Sequence, residues 1–224
     1  MIPIRDINPT RNTPWITWGL ILGNVAAFAW QVLGEAPDEV VRAWGFIPGR
    51  FLQDPLGDGL TLFSSMFLHG GLLHLSSNML YLWVFGDNVE DRLGKLRFLL
   101  FYLLAGVGGA LGQMLIEPSS MVPMVGASGA IAGVLGAYFL LCPGARVVTV
   151  IPPLFFWPFE LPAWVVIVTW FLFQVLHGFT SLTSSAQVGV AFFAHIGGFL
   201  AGLWLTRYLL PPALPPRVIR VVIR

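Results

Sequence analysis

The sequence predicts an all-α membrane protein whose single domain, residues 1–224, holds six transmembrane helices. Hydrophobic residues make up 56% of the chain and charged residues only 10%, and the mean hydropathy is +0.79. That is more apolar surface than the core of a soluble domain requires. Six apolar stretches are long enough to cross roughly 30 Å of hydrocarbon at about 1.5 Å per residue. They lie at residues 15–33, 62–85, 96–116, 125–141, 161–176 and 190–210.

The first stretch is expected to remain in the protein as a helix. Residues 1–14 are polar and rich in proline and lack the apolar core of a cleaved signal peptide. The connection that follows, residues 34–59, is too long for a tight turn and places Trp44 and Phe46 among charged residues. Tryptophan favours headgroup depth, so this connection is predicted to be an amphipathic segment in the membrane interface.

The second stretch carries an unusual polar load for a membrane helix. His74 and Asn78 are four residues apart and share one helix face, so both side chains could donate to a developing oxyanion. His69 lies about 140° away around the helix, at roughly 100° per residue, and is expected to have a supporting role. These groups could instead bond neighbouring helices. Glu90 and Asp91 close the stretch, where ion pairs or capping of the next helix explain them.

The fourth stretch is short and rich in glycine and alanine, so it is predicted to be the central helix, shielded by its neighbours. Ser128 lies near its start, where unpaired N–H groups and the positive end of the helix dipole would stabilise an oxyanion. Gly126 and Gly129 flank the serine and let a substrate backbone approach. On its own, this pattern is more typical of close helix packing than of a nucleophile.

The sixth stretch supplies a base for this serine. His195 is followed by Gly198 and Gly202 on the same helix face, so that face can lie close to the fourth helix. A neutral histidine at that distance could accept the serine proton as general base. A lone membrane histidine more often bonds a neighbouring helix, but small residues on both helices favour the catalytic interpretation. The facing stripe is expected at Ser128, Ala132 and Gly136.

Basic residues set the expected orientation. The N-terminal tail, the second and fourth connections and the C-terminus carry Lys and Arg and are placed in the cytoplasm. These residues are Arg5, Arg11, Arg92, Lys95, Arg97, Arg146, Arg207, Arg217, Arg220 and Arg224. Residues 117–124 and 178–189 hold no Lys or Arg, and residues 34–59 hold two Arg against five acids, so these connections are expected outside.

With this orientation the second, fourth and sixth helices all run from outside to inside. Ser128, His195, His74 and Asn78 then lie at similar depth near the outer ends of their helices. Hydrolysis at that depth requires access for water, so the sequence predicts a polar cavity open to the outside.

Several other chemistries are not expected. A formal net charge of +1, without a basic patch interleaved with aromatics, gives no indication of a nucleic-acid partner. The single cysteine, Cys142, offers no paired-thiol metal site. No HExxH motif is present, and His69 and His74 do not share a helix face, so neither a metal nor a cofactor is expected.

Taken in order, these motifs resemble those of the rhomboid family of intramembrane serine proteases. The matching segments are HGGLLHLSSN at residues 69–78, GDNVEDRLG at 86–94, GASG at 126–129 and AHIGG at 194–198. The resemblance covers nearly the whole chain and is closest to the minimal six-helix bacterial type, without an appended soluble domain or a seventh helix.

The resemblance implies a rhomboid-like bundle in which Ser128 is the nucleophile and His195 the general base. It implies an oxyanion hole formed by the Ser128 backbone N–H, His74 and Asn78. It also implies that the fifth helix is a lateral gate and that residues 178–189 form a cap. Some members place an aromatic residue one turn after the serine, where this chain has Ala132, so another neighbour is expected to orient His195.

The expected function is an intramembrane serine endopeptidase that cleaves transmembrane-helix substrates near their extracytoplasmic end through an acyl-enzyme. The expected location is a bacterial plasma membrane, with lipid and transmembrane substrates as partners and the oligomeric state undetermined. One alternative is a non-catalytic relative that binds transmembrane helices. Another is a solute or proton pathway lined by His69, His74 and Asn78.

Overall fold

A computed structural model describes residues 1–152, 155–183 and 190–212. The described chain is mostly helical. Its strands are β1 (Ile2–Asp6), β2 (Arg146–Ile151) and β3 (Phe155–Pro162). Its helices are α1 (Trp15–Leu33), α2 (Pro37–Trp44), α3 (Pro48–Gln53), α4 (Pro55–Asp58), α5 (Thr61–Ser64), α6 (Leu72–Leu93), α7 (Lys95–Ile116), α8 (Ser128–Leu141), α9 (Ala163–Thr183) and α10 (Phe192–Leu209). The basic residues at 217, 220 and 224 and half of the expected cap, residues 184–189, lie outside these ranges. The other half of the expected cap, residues 178–183, continues α9.

Three helices are long and apolar enough to cross a membrane, namely Trp15–Leu33, Lys95–Ile116 and Ala163–Leu182 within the described residues. The 14-residue α8 is also apolar but shorter. The remaining long helices, α6 and α10, contain the polar residues that the sequence analysis singled out. The strongest membrane signal therefore comes from α1, α7 and α9, whereas α6 and α10 carry several of the polar groups.

The second long helix begins ten residues later than the apolar stretch predicts, at Leu72 rather than 62. Gly71 has φ +152°, a conformation that a helix cannot contain and that L side chains rarely adopt. Residues 61–67 form the short α5 and one 3₁₀ turn instead. His69 therefore lies in the loop before the helix, and the predicted 140° offset from His74 along one helix is wrong.

The last helix, α10, lies against α7 through glycines. A Cβ atom built on Gly112 would lie 2.8 Å from the Cα of Gly197, and one on Gly109 would lie 2.8 Å from the carbonyl oxygen of Ala194. Real Cβ atoms do not approach this closely, so side chains at these positions would separate the helices. Backbone therefore packs directly on backbone, as small residues permit within membranes.

The opposite side of α10 makes the same kind of contact with α8. A Cβ on Gly198 would overlap Gly129, and one on Gly202 would overlap Gly133. Farther along, a Cβ on Gly136 would lie 2.6 Å from the Phe199 carbonyl oxygen. The small-residue contact predicted between these two helices is present, but α8 contributes Gly129 and Gly133 to it.

The predicted facing stripe of Ser128, Ala132 and Gly136 includes Gly136, which packs on α10, but it leaves out the two glycines of α8 that make the closest contacts. Ser128 and Ala132 lie one residue before the glycines that make the contact. The offset places Ser128 beside the seam rather than inside it, where its hydroxyl has room to reach a side chain of α10. Ala132 is fully buried in the apolar core.

A three-stranded antiparallel sheet in the order β1-β2-β3 is an addition to the predicted all-α fold. The β-branched run in β2, RVVTVI, favours extended structure, and its register pairs Ile2 with Val150 and Arg146 with Pro162. Asp6, at the end of β1, accepts hydrogen bonds from the Tyr138 hydroxyl at 2.7 Å and the Asn88 amide at 2.8 Å. The sheet thereby joins the adjacent ends of α6 and α8.

Two carboxylates of α6 hold the chain that enters α1. The Glu90 carboxylate accepts hydrogen bonds from the backbone N–H groups of Ile16 and Thr17 at 3.0 and 2.8 Å. These first-turn N–H groups have no carbonyl partner within α1. Asp91 accepts from the backbone N–H of Asn12 at 3.0 Å. Glu90 therefore caps the first helix, and Asp91 holds the segment before it. The structural role expected of these acids is thus made with the start of α1 rather than with the next helix.

Residues 34–59, which follow α1, form three short helices, α2 to α4. Trp44 is half exposed, in keeping with an interfacial position, but Phe46 is fully buried. The backbones of Phe46 and Met124 exchange two hydrogen bonds, at 3.0 and 2.8 Å. Gly49 N–H also donates to the Ser120 carbonyl at 2.9 Å. This connection therefore braces the loop that leads into Ser128.

Replacement of Gly202 by leucine is expected to destabilise the protein by about 1–3 kcal/mol, because the side chain would force α10 away from α8. Thermal unfolding in detergent measures the effect. Gly19→Leu is the matched control, because nothing lies within 4 Å of a Cβ at Gly19. Equal midpoints for the two variants would show that the α8–α10 contact tolerates separation.

The pH dependence of stability is expected to report on Asp6. Desolvation by burial raises the pKa of its carboxyl to about 6, with Asp87 also raising it and the Tyr138 hydrogen bond lowering it. The folded state then holds this proton more tightly than the unfolded state. The stability it contributes is present below about pH 4 and is lost as the pH rises through 6.

Asp6→Asn cannot ionise, so its unfolding midpoint minus that of the wild type is expected to increase between pH 4 and pH 7. Thermal scans of both proteins at matched pH values measure this difference. Subtraction removes the contributions of the other carboxylates. A difference that stays constant across the range would show that Asp6 titrates at an ordinary pKa.

Candidate active site

Ser128 and His195 meet at the ends of two helices that are packed together by glycines. Ser128 is the first residue of α8, and His195 lies in the first turn of α10. The Ser128 Oγ and the His195 Nε2 are 2.8 Å apart, a hydrogen-bond distance. The two side chains are partly buried. The sequence placed these residues on the correct helices, and the fold brings them into direct contact.

The other ring nitrogen of His195 contacts a residue that the sequence analysis missed. Its Nδ1 lies 2.7 Å from the Oε1 of Gln174, on α9. The Trp170 ring, one turn earlier on the same helix, packs on the imidazole with centroids 5.8 Å apart. In the sequence, Gln174 could have been noticed as the one amide side chain of a mostly apolar helix, four residues after a tryptophan.

The residue one turn after Ser128 on α8 is Ala132, where an aromatic side chain could have packed against His195. Ala132 is fully buried. The aromatic neighbour of His195 comes instead from the fifth long helix, as Trp170. The imidazole is therefore held by α9 on one side and by Ser128 on the other.

A second glutamine, which is buried, holds the start of α10. Gln113, near the end of α7, accepts a hydrogen bond from the backbone N–H of Ala194 at 3.2 Å. Its amide nitrogen donates to Glu117 at 3.0 Å. Ala194 directly precedes the histidine, and its N–H also donates to the Ala191 carbonyl at 3.1 Å. Gln113 thus fixes the position from which His195 projects.

His74 lies next to the nucleophile with a donor available. Its Nδ1 accepts a hydrogen bond from the Gly70 N–H at 3.3 Å, so in the neutral ring the proton is on Nε2. A Cβ on Gly126 would lie 2.8 Å from that Nε2 and 3.7 Å from the Ser128 Oγ. Gly126 also has φ +124°. Only glycine fits this turn, and it leaves the space between His74 and Ser128 open.

Asn78 and His69 are both buried behind His74. The Asn78 amide nitrogen donates to the His74 carbonyl at 3.0 Å, which uses one of its two N–H groups. The His69 ring lies against the His74 ring, with centroids 5.1 Å apart. Gln31 bonds both the backbone N–H and the carbonyl of His69, at 3.0 and 2.8 Å. His69 therefore supports the position of His74.

A cavity of about 40 Å³ adjoins the serine. That is enough space for water, which needs about 10–15 Å³. The cavity is lined by Phe46, Ser65, Met66, Gly106, Ala110, Met124, Val125, Gly126, Ser128, Gly129, Ala130, Ala191 and Ala194. A larger cavity of about 240 Å³ lies at the sheet end of the fold and contains none of the predicted site residues.

The described residues contain no group of three or more His, Cys, Asp or Glu that could hold a metal ion. The site itself offers side-chain and backbone groups. It comprises a hydroxyl bonded to an imidazole, the first-turn N–H groups of α8, and the Nε2–H of His74.

The chain matches known proteins over most of its length. The sequence profile of the rhomboid domain matches residues 57–212. RHOMBOID-like protein 5 of Arabidopsis thaliana is 32% identical over 76% of this chain and 50% of its own length. Rhomboid protein 1, mitochondrial, of Saccharomyces cerevisiae is 29% identical over 87% of this chain and 53% of its own length.

A bacterial relative carries a name that states an activity. Rhomboid protease GluP of Bacillus subtilis is 38% identical over 46% of this chain and 20% of its own length. The chain thus spans about half or less of the length of these three relatives. The profile match covers more than half of the chain, and the apolar helices fit a bilayer. The chain is therefore an integral membrane protein that belongs to the rhomboid family.

Proposed function

We propose that the chain is an intramembrane serine endopeptidase that cleaves transmembrane-helix substrates near their extracytoplasmic end. The observation that carries this proposal is the 2.8 Å contact between the Ser128 Oγ and the His195 Nε2 at the N-terminus of α8. A serine hydroxyl is a weak nucleophile until an adjacent base accepts its proton. Membership of a family with members named as proteases supports the same activity.

In the proposed reaction, the Ser128 Oγ attacks the scissile carbonyl carbon while its proton passes to the His195 Nε2. The C–N bond then breaks, and the imidazolium returns the proton to the leaving amine. An ester remains on Ser128. A water molecule attacks this ester with His195 again as base, releases the new carboxyl end and restores the serine hydroxyl.

The negative charge of each tetrahedral intermediate needs donors. The Ser128 backbone N–H and the Nε2–H of His74 are the proposed donors, with the free N–H of the Asn78 amide as a third. Such preorganised donors typically contribute about 3–4 kcal/mol each to lowering the barrier. The α8 dipole acts in the same direction, because the oxyanion forms at its N-terminus.

The proposed substrates are transmembrane helices that unwind easily. A helix hides its carbonyls in intrachain hydrogen bonds, so the scissile bond becomes accessible only after local unwinding. The cavity beside Ser128 has a volume of about 40 Å³ and mostly small or apolar walls. It fits a small side chain next to the cleaved bond, so substrates with a small residue there are favoured.

We further propose that all six long helices span the membrane, with both termini in the cytoplasm and the cavity open to the outside. The chain would then lie in a bacterial plasma membrane, as its similarity to a Bacillus subtilis relative suggests. Basic residues such as Arg5, Arg11 and Arg146 lie at the sheet end, and Ser128 lies at the other end of α8. The positive-inside rule supports this orientation.

A fluorophosphonate probe that carries desthiobiotin tests the proposed nucleophile. Ser128 is expected to be the labelled residue by mass spectrometry. His195→Ala is expected to lower labelling and cleavage by at least about 1000-fold, because the base is lost. Ser128→Ala should abolish both, and Ser76→Ala, at an exposed serine of α6, is the matched control. Each variant should unfold near the wild-type temperature.

A folded wild-type protein without label on Ser128 would overturn the proposal. It would leave a non-catalytic rhomboid that binds transmembrane helices as the remaining function. Cleavage that persists in folded Ser128→Ala would equally exclude the proposed mechanism.

Single cysteines test the orientation, on a Cys142→Ser background. Ser119→Cys, in the exposed loop before α8, is expected to react with a membrane-impermeant maleimide in right-side-out spheroplasts. Gly144→Cys, in the exposed turn after α8, is expected to react only after lysis. The reverse pattern would place the candidate site on the cytoplasmic side.

A further inference from the structure

The two ring nitrogens of His195 contact residues of two different helices. Nε2 faces Ser128 of α8 at 2.8 Å, and Nδ1 faces Gln174 of α9 at 2.7 Å. The contact with Gln174 bears on the proposed reaction, because only an imidazole whose Nε2 carries no proton can accept one from the serine. The inference below rests on the proposed function.

The surroundings of Gln174 determine which end of its amide faces the histidine. The Gln174 Nε2 lies 3.4 Å from the Trp170 carbonyl oxygen, to which it can donate. The reversed amide would point its oxygen at that carbonyl oxygen, and two acceptors repel. The amide oxygen therefore faces Nδ1. An amide oxygen only accepts, so Nδ1 carries the proton and Nε2 presents its lone pair to Ser128.

The helices that carry Ser128 and His195 are packed together without any contribution from α9. Their helices, α8 and α10, pack backbone to backbone where Gly198 and Gly202 meet α8. The 2.8 Å distance between the two side chains is therefore set by a contact that cannot slide without steric overlap. Gln174 adds something different to the site, namely the choice of which imidazole nitrogen carries the proton.

The α9 helix is attached to α10 mainly through side chains. Phe171 stacks on Phe199 with centroids 4.5 Å apart, and His177 stacks on Phe192 at 5.6 Å. Within the most apolar 18 residues of each helix, 17% of α9 is buried inside the protein, against 39% of α7. The helix that fixes the tautomer is thus more exposed than α7, the helix on which the backbone of α10 packs.

We propose that Gln174 is a positioning residue that holds His195 in the tautomer needed to accept the serine proton, so the Ser–His pair is fully competent only while α9 lies against α10. When α9 moves away, His195 stays on α10 beside Ser128, but its ring is free to rotate or to carry its proton on Nε2. An imidazole with a proton on Nε2 cannot accept the serine proton at that nitrogen. The position of one lipid-facing helix thereby controls the reactivity of a serine that it does not touch.

The first test measures how fast the fluorophosphonate probe labels Ser128. Gln174→Leu keeps an apolar helix but removes the acceptor, and it is expected to lower kinact by about 10- to 100-fold with little change in KI. Ser181→Ala, on the same helix and distant from the dyad, is the matched control and is expected to label at the wild-type rate. Thermal unfolding confirms that each variant is folded.

Gln174→Glu distinguishes positioning from packing. A carboxylate also accepts from Nδ1–H, so labelling is expected to recover above that of Gln174→Leu. The carboxylate also favours the imidazolium, so the acidic limb of the rate–pH profile is expected to move to higher pH. A purely structural role for Gln174 would leave the position of that limb unchanged.

The outcomes separate the two proposals. Absence of label on wild-type Ser128 would overturn the proposed function itself. Normal labelling of the wild type together with normal kinact in folded Gln174→Leu would leave the protease intact and overturn the role of Gln174.

The second test varies the position of α9. Phe171→Ala removes the stack on Phe199 and is expected to slow labelling of Ser128. A Cβ on Gly178 would lie 3.4 Å from the Cβ of Phe192, close to the spacing of a disulfide. In Phe171→Ala with Gly178→Cys, Phe192→Cys and Cys142→Ser, oxidation is expected to restore the labelling rate and reduction to lower it again. Equal rates in both states, below the wild type, would show that α9 does not act through its position.

Discussion

The close approach of α10 to its two neighbours is the constraint on which the site depends. Glycines on α7 and α8 let the backbone of α10 lie directly against both, and a single added Cβ atom would overlap a neighbouring backbone. Helices with ordinary side chains at the interface lie about 8–10 Å apart. Ser128 has a short side chain, and the close approach of α8 and α10 brings its hydroxyl within 2.8 Å of the His195 ring. Packing and chemistry therefore rest on the same small residues.

Around this seam, the parts of the site are held by progressively looser contacts. Gln113 anchors the first turn of α10 from α7, and the paired backbones of Phe46 and Met124 brace the loop before Ser128. The outer helix α9 adds Gln174 through side-chain contacts alone. The position of Ser128 is thus set by the packing of α7, α8 and α10, whereas the tautomer of His195 depends on the outer helix α9.

The sequence predicted the serine and the histidine because polar residues flanked by small ones are uncommon in apolar helices. Ser128 and His195 stand out among small residues, and the fold brings them together. The start of α6 was misjudged, because apolar residues continue through a loop that Gly71 forces out of helical geometry. The strand at Phe155–Pro162 is as apolar as its neighbours and was hidden for that reason. Gln174 was missed because its role depends on which face of α9 meets α10, and periodicity does not determine that.

The small sheet has a consequence for the order in which the chain assembles. Its first strand, Ile2–Asp6, pairs only with β2, and Asp6 bonds a tyrosine 132 residues further along the chain. Closing so long a loop is slow, because its entropic cost precedes any contact. The strand pairing of the N-terminal segment therefore waits through the synthesis of four long helices, although Asp6 can bond Asn88 of α6 earlier. This pairing is a late event of biogenesis, and it closes the molecule around helices that have already entered the bilayer.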